Sequence, residues 1–261
     1  MDQLASQIKE NSLIAEEILF DVLCLVQPGV STFELNDAAA RGFRRRGVLP
    51  AALFLGAGSA ISISINREVL FGEISKDKRV EDGDIVKLDL GVYHKGVFSD
   101  LGLSVGVGRV SPESAKLLTG TWRALAAALN VLCHSVPVSR ISAALENTLR
   151  EHAVTPIAEM CGHGIGRSPH EKPFIPAVTA LPFIDYNCRL ERGMVVCIEP
   201  FGTSGSGATV SPDRIRITTT DSAPVAYCEV PVLVTDNGPE VLAKDAFKFM
   251  EAVREEVSPA N

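Results

Sequence analysis

The chain has 261 residues, 46% of them apolar, enough to bury a substantial core in one domain. Its net charge of −7 excludes the basic face that a nucleic acid or an anionic membrane requires, and the one basic run, Arg44-Arg45-Arg46, suits a helix C-terminus. Six cysteines without C-x-x-C spacing, and a start lacking the basic and apolar parts of a signal peptide, fit a reduced, cytoplasmic protein with no membrane span.

Apolar residues at Leu4, Ile8, Ile14, Ile18 and Val22 keep a helical period that Pro28-Gly29 stops. Ser31-Thr32-Phe33-Glu34 is a capping box, predicting a second helix that ends at Gly47. Short strands are expected over residues 51–55 and 61–65, the second half-buried because Ser62 and Ser64 alternate with isoleucines. Residues 84–107 read as a β-hairpin, 85–93 against 97–105, with His94-Lys95-Gly96 supplying the turn. A His94-Lys95 loop would place Asp89 directly opposite Asp100. Like charges so placed destabilise a sheet unless a cation offsets them. A turn one residue longer or shorter would instead put the two carboxylates on opposite faces as ordinary solvated residues, and the hairpin alone leaves both readings open.

Ser111-Pro112-Glu113 opens a helix to about residue 132, and another follows from Ser139. This order repeats that of the first two helices, and the 108-residue shift from Ser31 to Ser139 carries Asp89 to within two residues of Glu199, which hints at a duplicated half. Next come His163 between two glycines, a strand over 194–199 stopped by Pro200, and a Gly/Ser-rich connection over 202–212. The strand over 225–234 contains Pro231, which requires a bulge or an unpaired side. A last helix covers about 243–257.

Taken singly, Glu199 could be a strand-end charge and Glu229 an exposed strand residue. Taken together, Asp89, Asp100, His163, Glu199 and Glu229 make a carboxylate-rich set with one imidazole, suited to two divalent ions such as Co, Mn, Fe or Zn. These residues also carry a resemblance. Leu88-Asp89-Leu90, the eleven-residue step to Asp100, Cys161-Gly162-His163-Gly164-Ile165-Gly166, Ile198-Glu199-Pro200, and Glu229 ahead of Val234-Thr235-Asp236-Asn237-Gly238 resemble the type I methionine aminopeptidases over roughly residues 5–245. The resemblance implies an α+β pita-bread fold: one domain over 1–261, with pseudo-twofold-related α/β halves at about 1–108 and 109–245 and an antiparallel sheet lined by helices. It implies a dinuclear metal centre in which Asp100 and Glu229 bridge, Asp89 ligates one ion, and His163 and Glu199 the other. It further implies that Glu199 shuttles a proton and that His170 hydrogen-bonds the substrate near the scissile carbonyl.

The chain departs from that family in two places. Phe71 stands where the family has an active-site histidine, so a hydrogen-bonding group has become an apolar ring. Around the methionine pocket, where the family presents aromatic residues, a cysteine and a tryptophan, alignment gives Phe54, Ala57, Ser62, Pro169 and Ile215. Three functions stay open on these grounds: an aminopeptidase that removes methionine, a related hydrolase of another peptide or small amide, and a binding protein that keeps the fold. The retained acids favour a metal-dependent aminopeptidase-like hydrolase, and the altered pocket weighs towards a substrate other than methionine.

Overall fold

The computed structural model describes residues 3–213 and 215–257, with side chains through residue 250. Helix α1 (Gln3–Leu23) is followed by α2 (Thr32–Arg46), whose two ends form as the sequence dictates. The Glu34 N–H donates to Ser31 Oγ at 3.2 Å, and the Ser31 N–H donates back to Glu34 Oε2 at 2.9 Å. At the other end Gly47 takes φ +66°, a conformation that costs glycine little, and its N–H closes onto the carbonyls of Phe43 and Arg44.

Residues 51–55 form a 3-10 helix and not the expected strand. Five consecutive apolar residues carry no period that separates the two, and here Ala51 and Ala52 turn inward while Leu53, Phe54 and Leu55 turn outward. Strand β1 (Ser62–Ile65) is buried along its whole length, so its serines are not a solvent face. Their hydroxyls accept hydrogen bonds from the N–H groups of Phe71, at 2.9 Å from Ser62, and Gly72, at 3.3 Å from Ser64. Those two residues follow β2 (Glu68–Leu70).

The hairpin forms from β3 (Ile85–His94) and β4 (Val97–Gly106), but its loop is Lys95-Gly96. Both loop residues have positive φ, +52° and +81°, the requirement of a type I′ turn. The register therefore slides from the expected one: Asp89 faces Gly102, and Asp100 faces Gly91. Because the slide preserves parity, the two carboxylates remain on one face as diagonal neighbours.

The second half opens with α3 (Pro112–Val131), capped by Ser111, and α4 (Val138–Glu151). Pro137 is the N-cap of α4, so Ser139 lies inside the helix and makes no cap. Strands β5 (Cys161–Gly164), β6 (Glu171–Pro176) and β7 (Val195–Ile198) follow, then β8 (Ile217–Thr219), β9 (Val225–Thr235), β10 (Gly238–Val241) and α5 (Lys244–Val257). The larger sheet is antiparallel in the order β3-β4-β9-β7-β5-β6, with β1 on β3 and β10 on β9. Pro231 falls between the β4 and β10 pairings on one side of β9, where no partner needs its missing N–H. Among the described residues, no helix is long and apolar enough to cross a membrane.

The two halves repeat each other closely around the sheet. An isolated bridge Ser31↔Arg79 precedes β3, and Pro137↔Arg189 precedes β7. Gly83 and Gly193 both take φ +92° two residues before those strands. Asp89 and Glu199 then stand at the same place, each four residues after the strand's first residue, Ile85 or Val195. The halves meet where β4 pairs β9, Cys228 facing Leu103 and Glu229 facing Gly102. At that seam the buried Tyr227 stacks on Phe201 at 4.5 Å and donates through its hydroxyl to Leu88 O at 3.1 Å.

Candidate metal centre

The five side chains singled out in the sequence arrive at one cleft from five segments. Asp89 comes from β3, Asp100 from β4, His163 from β5, Glu199 from the residue after β7, and Glu229 from β9. With His170, from the loop before β6, all of them line a cleft of about 80 Å³. Carboxylate oxygens of Asp89, Asp100 and Glu229 lie within 4.8 Å of one another, as do donor atoms of Asp100, His163 and His170. His163 Nε2 is 3.5 Å from Glu199 Oε1 and 3.9 Å from Glu229 Oε1. Glu229 is buried at 2% exposure, so it is not the solvated strand residue that the sequence left open.

Burial in this cleft works against ionisation. Asp89 is pushed well above the usual carboxylate range by burial and then by the Asp100 charge. Asp100 is raised by burial to about 7, against hydrogen bonds that lower it. Glu199 and Glu229 are also raised well above normal, first by burial and then by the neighbouring acids. Glu229 Oε1 is fully buried without a hydrogen-bond partner. Four carboxyls so placed are costly as anions unless cations lie among them, and an orphaned carboxylate oxygen aimed into the cluster is an open acceptor. The donor set fits hard or borderline divalent ions.

The surroundings of His163 suit its ring to hold a cation. Its Nδ1–H donates to Gly164 O at 3.0 Å, which leaves the Nε2 lone pair facing the acids. Burial, and then His170, lowers its pKa to about 4, so the ring is neutral. His170 packs edge-on against His163 with centroids 4.4 Å apart, and burial lowers its pKa too. Lys87 is buried two residues before Asp89, yet its amine is turned away from the acids. Its Nζ donates to Asn66 O at 2.9 Å and Val225 O at 3.0 Å, tying the halves together.

Cys197, not among the residues singled out from the sequence, stands opposite His163 with its Sγ within 4.8 Å of donor atoms of His163 and Glu229. Its position two residues before Glu199, on the same face of β7, was the available signal. Burial pushes this thiol well above its ordinary pKa, which holds it protonated.

The expected substrate-pocket residues divide. Phe71 lines the cleft, together with Ala51, Ala52, Leu55, Leu70 and Leu90, which the sequence did not suggest. Ala57 and Ile215 instead line an adjoining pocket of about 340 Å³, and Phe71 borders both spaces. Phe54 packs on Tyr93 and Phe98 outside the cleft, Ser62 is buried beneath Phe71, and Pro169 is half-buried in the loop before His170.

The model of metallopeptidase family M24 matches residues 6–235. The chain belongs to that family. Among relatives of this M24 chain, the methionine aminopeptidase of Aquifex aeolicus is 35% identical over 248 residues, covering 91% of this chain and 95% of that protein. The methionine aminopeptidase of Treponema pallidum is 37% identical over 228 residues, covering 87% and 88%. The crystal structure of methionine aminopeptidase from Thermotoga maritima superposes with a TM-score of 0.87 at 26% identity, over 93% of this chain and 97% of that one. The prolidase of Pyrococcus furiosus, at 20% identity and TM-score 0.73, matches 93% of this chain and 64% of its own, and shares the fold. The M24 chain is thus a pita-bread metallohydrolase of the methionine aminopeptidase type.

Proposed function

We propose that this protein binds two divalent cations and cleaves the amide bond that follows a free N-terminal amine, with methionine as the residue removed. The observation that carries the reading is the meeting of Asp89, Asp100, His163, Glu199 and Glu229 in one buried cleft. The methionine aminopeptidases of Aquifex aeolicus and Treponema pallidum support methionine as the residue released. Asp100 and Glu229 would be shared between the cations, with Asp89 holding one and His163 and Glu199 the other. Bound there, the cations would lower the pKa of water and polarise the scissile carbonyl.

The remaining work falls to side chains of the chain itself. Glu199 lines the cleft with its Oε1 3.5 Å from His163 Nε2, so its carboxylate is suited to take a proton from the attacking water and pass it to the leaving amine. His170, neutral and at the rim, is placed to hydrogen-bond the substrate beside the scissile carbonyl. Leu55, Leu70, Phe71 and Leu90 line the cleft with apolar surface, which excludes water and strengthens those polar contacts. Six unpaired cysteines support a reducing, cytoplasmic setting.

The test is metal content after loading with Mn, Co, Fe or Zn, followed by turnover of Met-Ala and a panel of other dipeptides and amides. Cleavage of Met-Ala with one of the metals is expected. Hydrolysis confined to a non-methionyl amide would overturn the substrate, and no hydrolysis with any metal would overturn the activity.

A further inference from the structure

Cys197 lies at the centre without a part in the proposed mechanism. Its side chain shares a face of β7 with Glu199, and its backbone stands between His163 of β5 and Pro231 of β9. The sulfur is within 4.8 Å of a ring nitrogen of His163 and a carboxylate oxygen of Glu229. That spacing is on the scale of two metal–ligand bonds, about 2.3 Å to sulfur and about 2.1 Å to nitrogen or oxygen. All three residues are buried, Cys197 at 0% exposure, His163 at 3% and Glu229 at 2%. A second observation points to the same place. Glu229 Oε1 lies 3.9 Å from His163 Nε2, is fully buried, and has no hydrogen-bond partner. An anionic oxygen left unpaired there is costly unless a cation meets it. Cys197 also joins the small apolar cluster of Ile8, Ile165, Val195 and Leu233, a packing role that does not call for sulfur.

We infer that Cys197 is a further ligand of the centre, its sulfur joining His163 and Glu229 around the cation on that side. The inference rests on the proposed function, because the cation is one of the two proposed there. The donors then differ across the cleft. Asp89, Asp100 and Glu229 offer oxygen alone, whereas His163, Glu229 and Cys197 offer nitrogen, oxygen and sulfur. The first group suits Mn and the second Zn. A cation bound beside the thiol displaces its proton to solvent, so the sulfur ligates as thiolate and brings one more negative charge to the centre. The chain therefore prefers a thiophilic cation on the His163 side more strongly than its oxygen and imidazole donors alone would.

The experiment reads the metal–sulfur bond directly. The protein is loaded with Co(II), its cobalt content is measured, and the near-ultraviolet spectrum is searched for the sulfur-to-cobalt charge-transfer band that a thiolate ligand produces. The band is expected in the unaltered protein and should be lost in Cys197→Ser and in Cys197→Ala, with cobalt still held by the remaining donors. Two other thiols serve as controls: Cys161, half-buried near Glu199, and Cys228, whose Sγ is turned to Thr121 O at 3.7 Å. Cys161→Ser and Cys228→Ser should both keep the band. Competition between Zn and Mn gives a second readout. Cys197→Ser should lower the Zn-over-Mn preference at least about tenfold, the smaller end of what losing even a supporting group at a metal site costs. Cobalt bound without the band, a band that survives Cys197→Ser, or an unchanged Zn-over-Mn ratio would overturn the sulfur ligand and leave the proposed centre standing. An unaltered protein that holds none of these metals would overturn the centre, and the sulfur ligand with it.

Discussion

Replacing Gly102 by alanine perturbs the centre where three strands meet. Gly102 faces Asp89 on one side and Glu229 on the other. A Cβ there would collide with the Oη and Cζ of Tyr227 and lie 2.8 Å from its Cε2. The ring cannot slide freely, because it is fully buried and stacked on Phe201. Forcing a methyl group into such a site costs about 1–3 kcal/mol of strain. Displacing the phenol also loses its bond to Leu88 O, about 1 kcal/mol more. A destabilisation of about 2–4 kcal/mol is expected, seen as a lower urea midpoint at unchanged slope. Metal retention should fall with it, since the two acids beside Gly102 move. Gly102→Ala with Tyr227→Leu, which removes the colliding hydroxyl and ring, should recover part of the loss. A cost under about 1 kcal/mol for the single variant would refute the claim that this glycine makes room for the phenol.

Asp100→Asn removes the charge placed between Asp89 and Glu229, and metal binding should weaken at least about tenfold, measured as metal content after dialysis; full occupancy would take Asp100 out of the proposed bridge. Phe71→His restores the group of the related aminopeptidases, but Phe71 also divides the cleft from the adjoining pocket. Little gain on Met-Ala is therefore expected, and a rise of about tenfold or more in kcat/KM, equal to about 1.4 kcal/mol, would show the ring to be a simple defect. Glu16 accepts the Ala246 N–H at 2.7 Å, linking α1 to α5, and burial raises its pKa. The folded protein thus binds a proton there more tightly than the unfolded chain, so Glu16 costs stability as pH rises past the ordinary carboxylate range. Glu16→Gln keeps the accepting oxygen and should raise Tm at about pH 8 by more than at about pH 4; an equal shift at both would refute the linkage.

The helix ends were legible because their signals are local. Ser31 with Glu34 and Gly47 act within one turn of the chain, and nothing distant could move them. That Asp89 and Asp100 share a face was also legible, since any even slide of the hairpin preserves it. Their true pairing was not, because it depends on which two residues take positive φ, and Lys95 carries no sign that it will be one of them. The 3-10 helix was misread because its inward and outward sides are both apolar, and only the sheet beneath tells Ala51 and Ala52 from Leu53. Phe54, Ala57 and Ile215 lie off the cleft for a related reason: they sit on short segments whose side-chain directions are set by tertiary contacts. The duplication is also written in the chain at a finer scale than the helix junctions. Residues 80–89, VEDGDIVKLD, and 190–199, LERGMVVCIE, align at an offset of 110 with glycine in register and the two metal-site acids at their ends.

The seam between β4 and β9 also fixes when the site can exist. Cys228 pairs Leu103 and Glu229 pairs Gly102 across some half of the chain, so the contact closes a long loop and belongs to the slow, non-local part of folding. A ribosome makes the chain from its N-terminus, and until β9 emerges the carboxylates of Asp89 and Asp100 have neither Glu229 nor His163 fastened beside them. During that interval β4 is an open edge with unpaired backbone groups and a buried-type sequence, the condition in which strands pair with the wrong neighbour. The same closure that brings Glu229 beside Asp89 and Asp100 removes that edge, so a chain whose acidic cluster is complete is one in which β4 is paired on both sides.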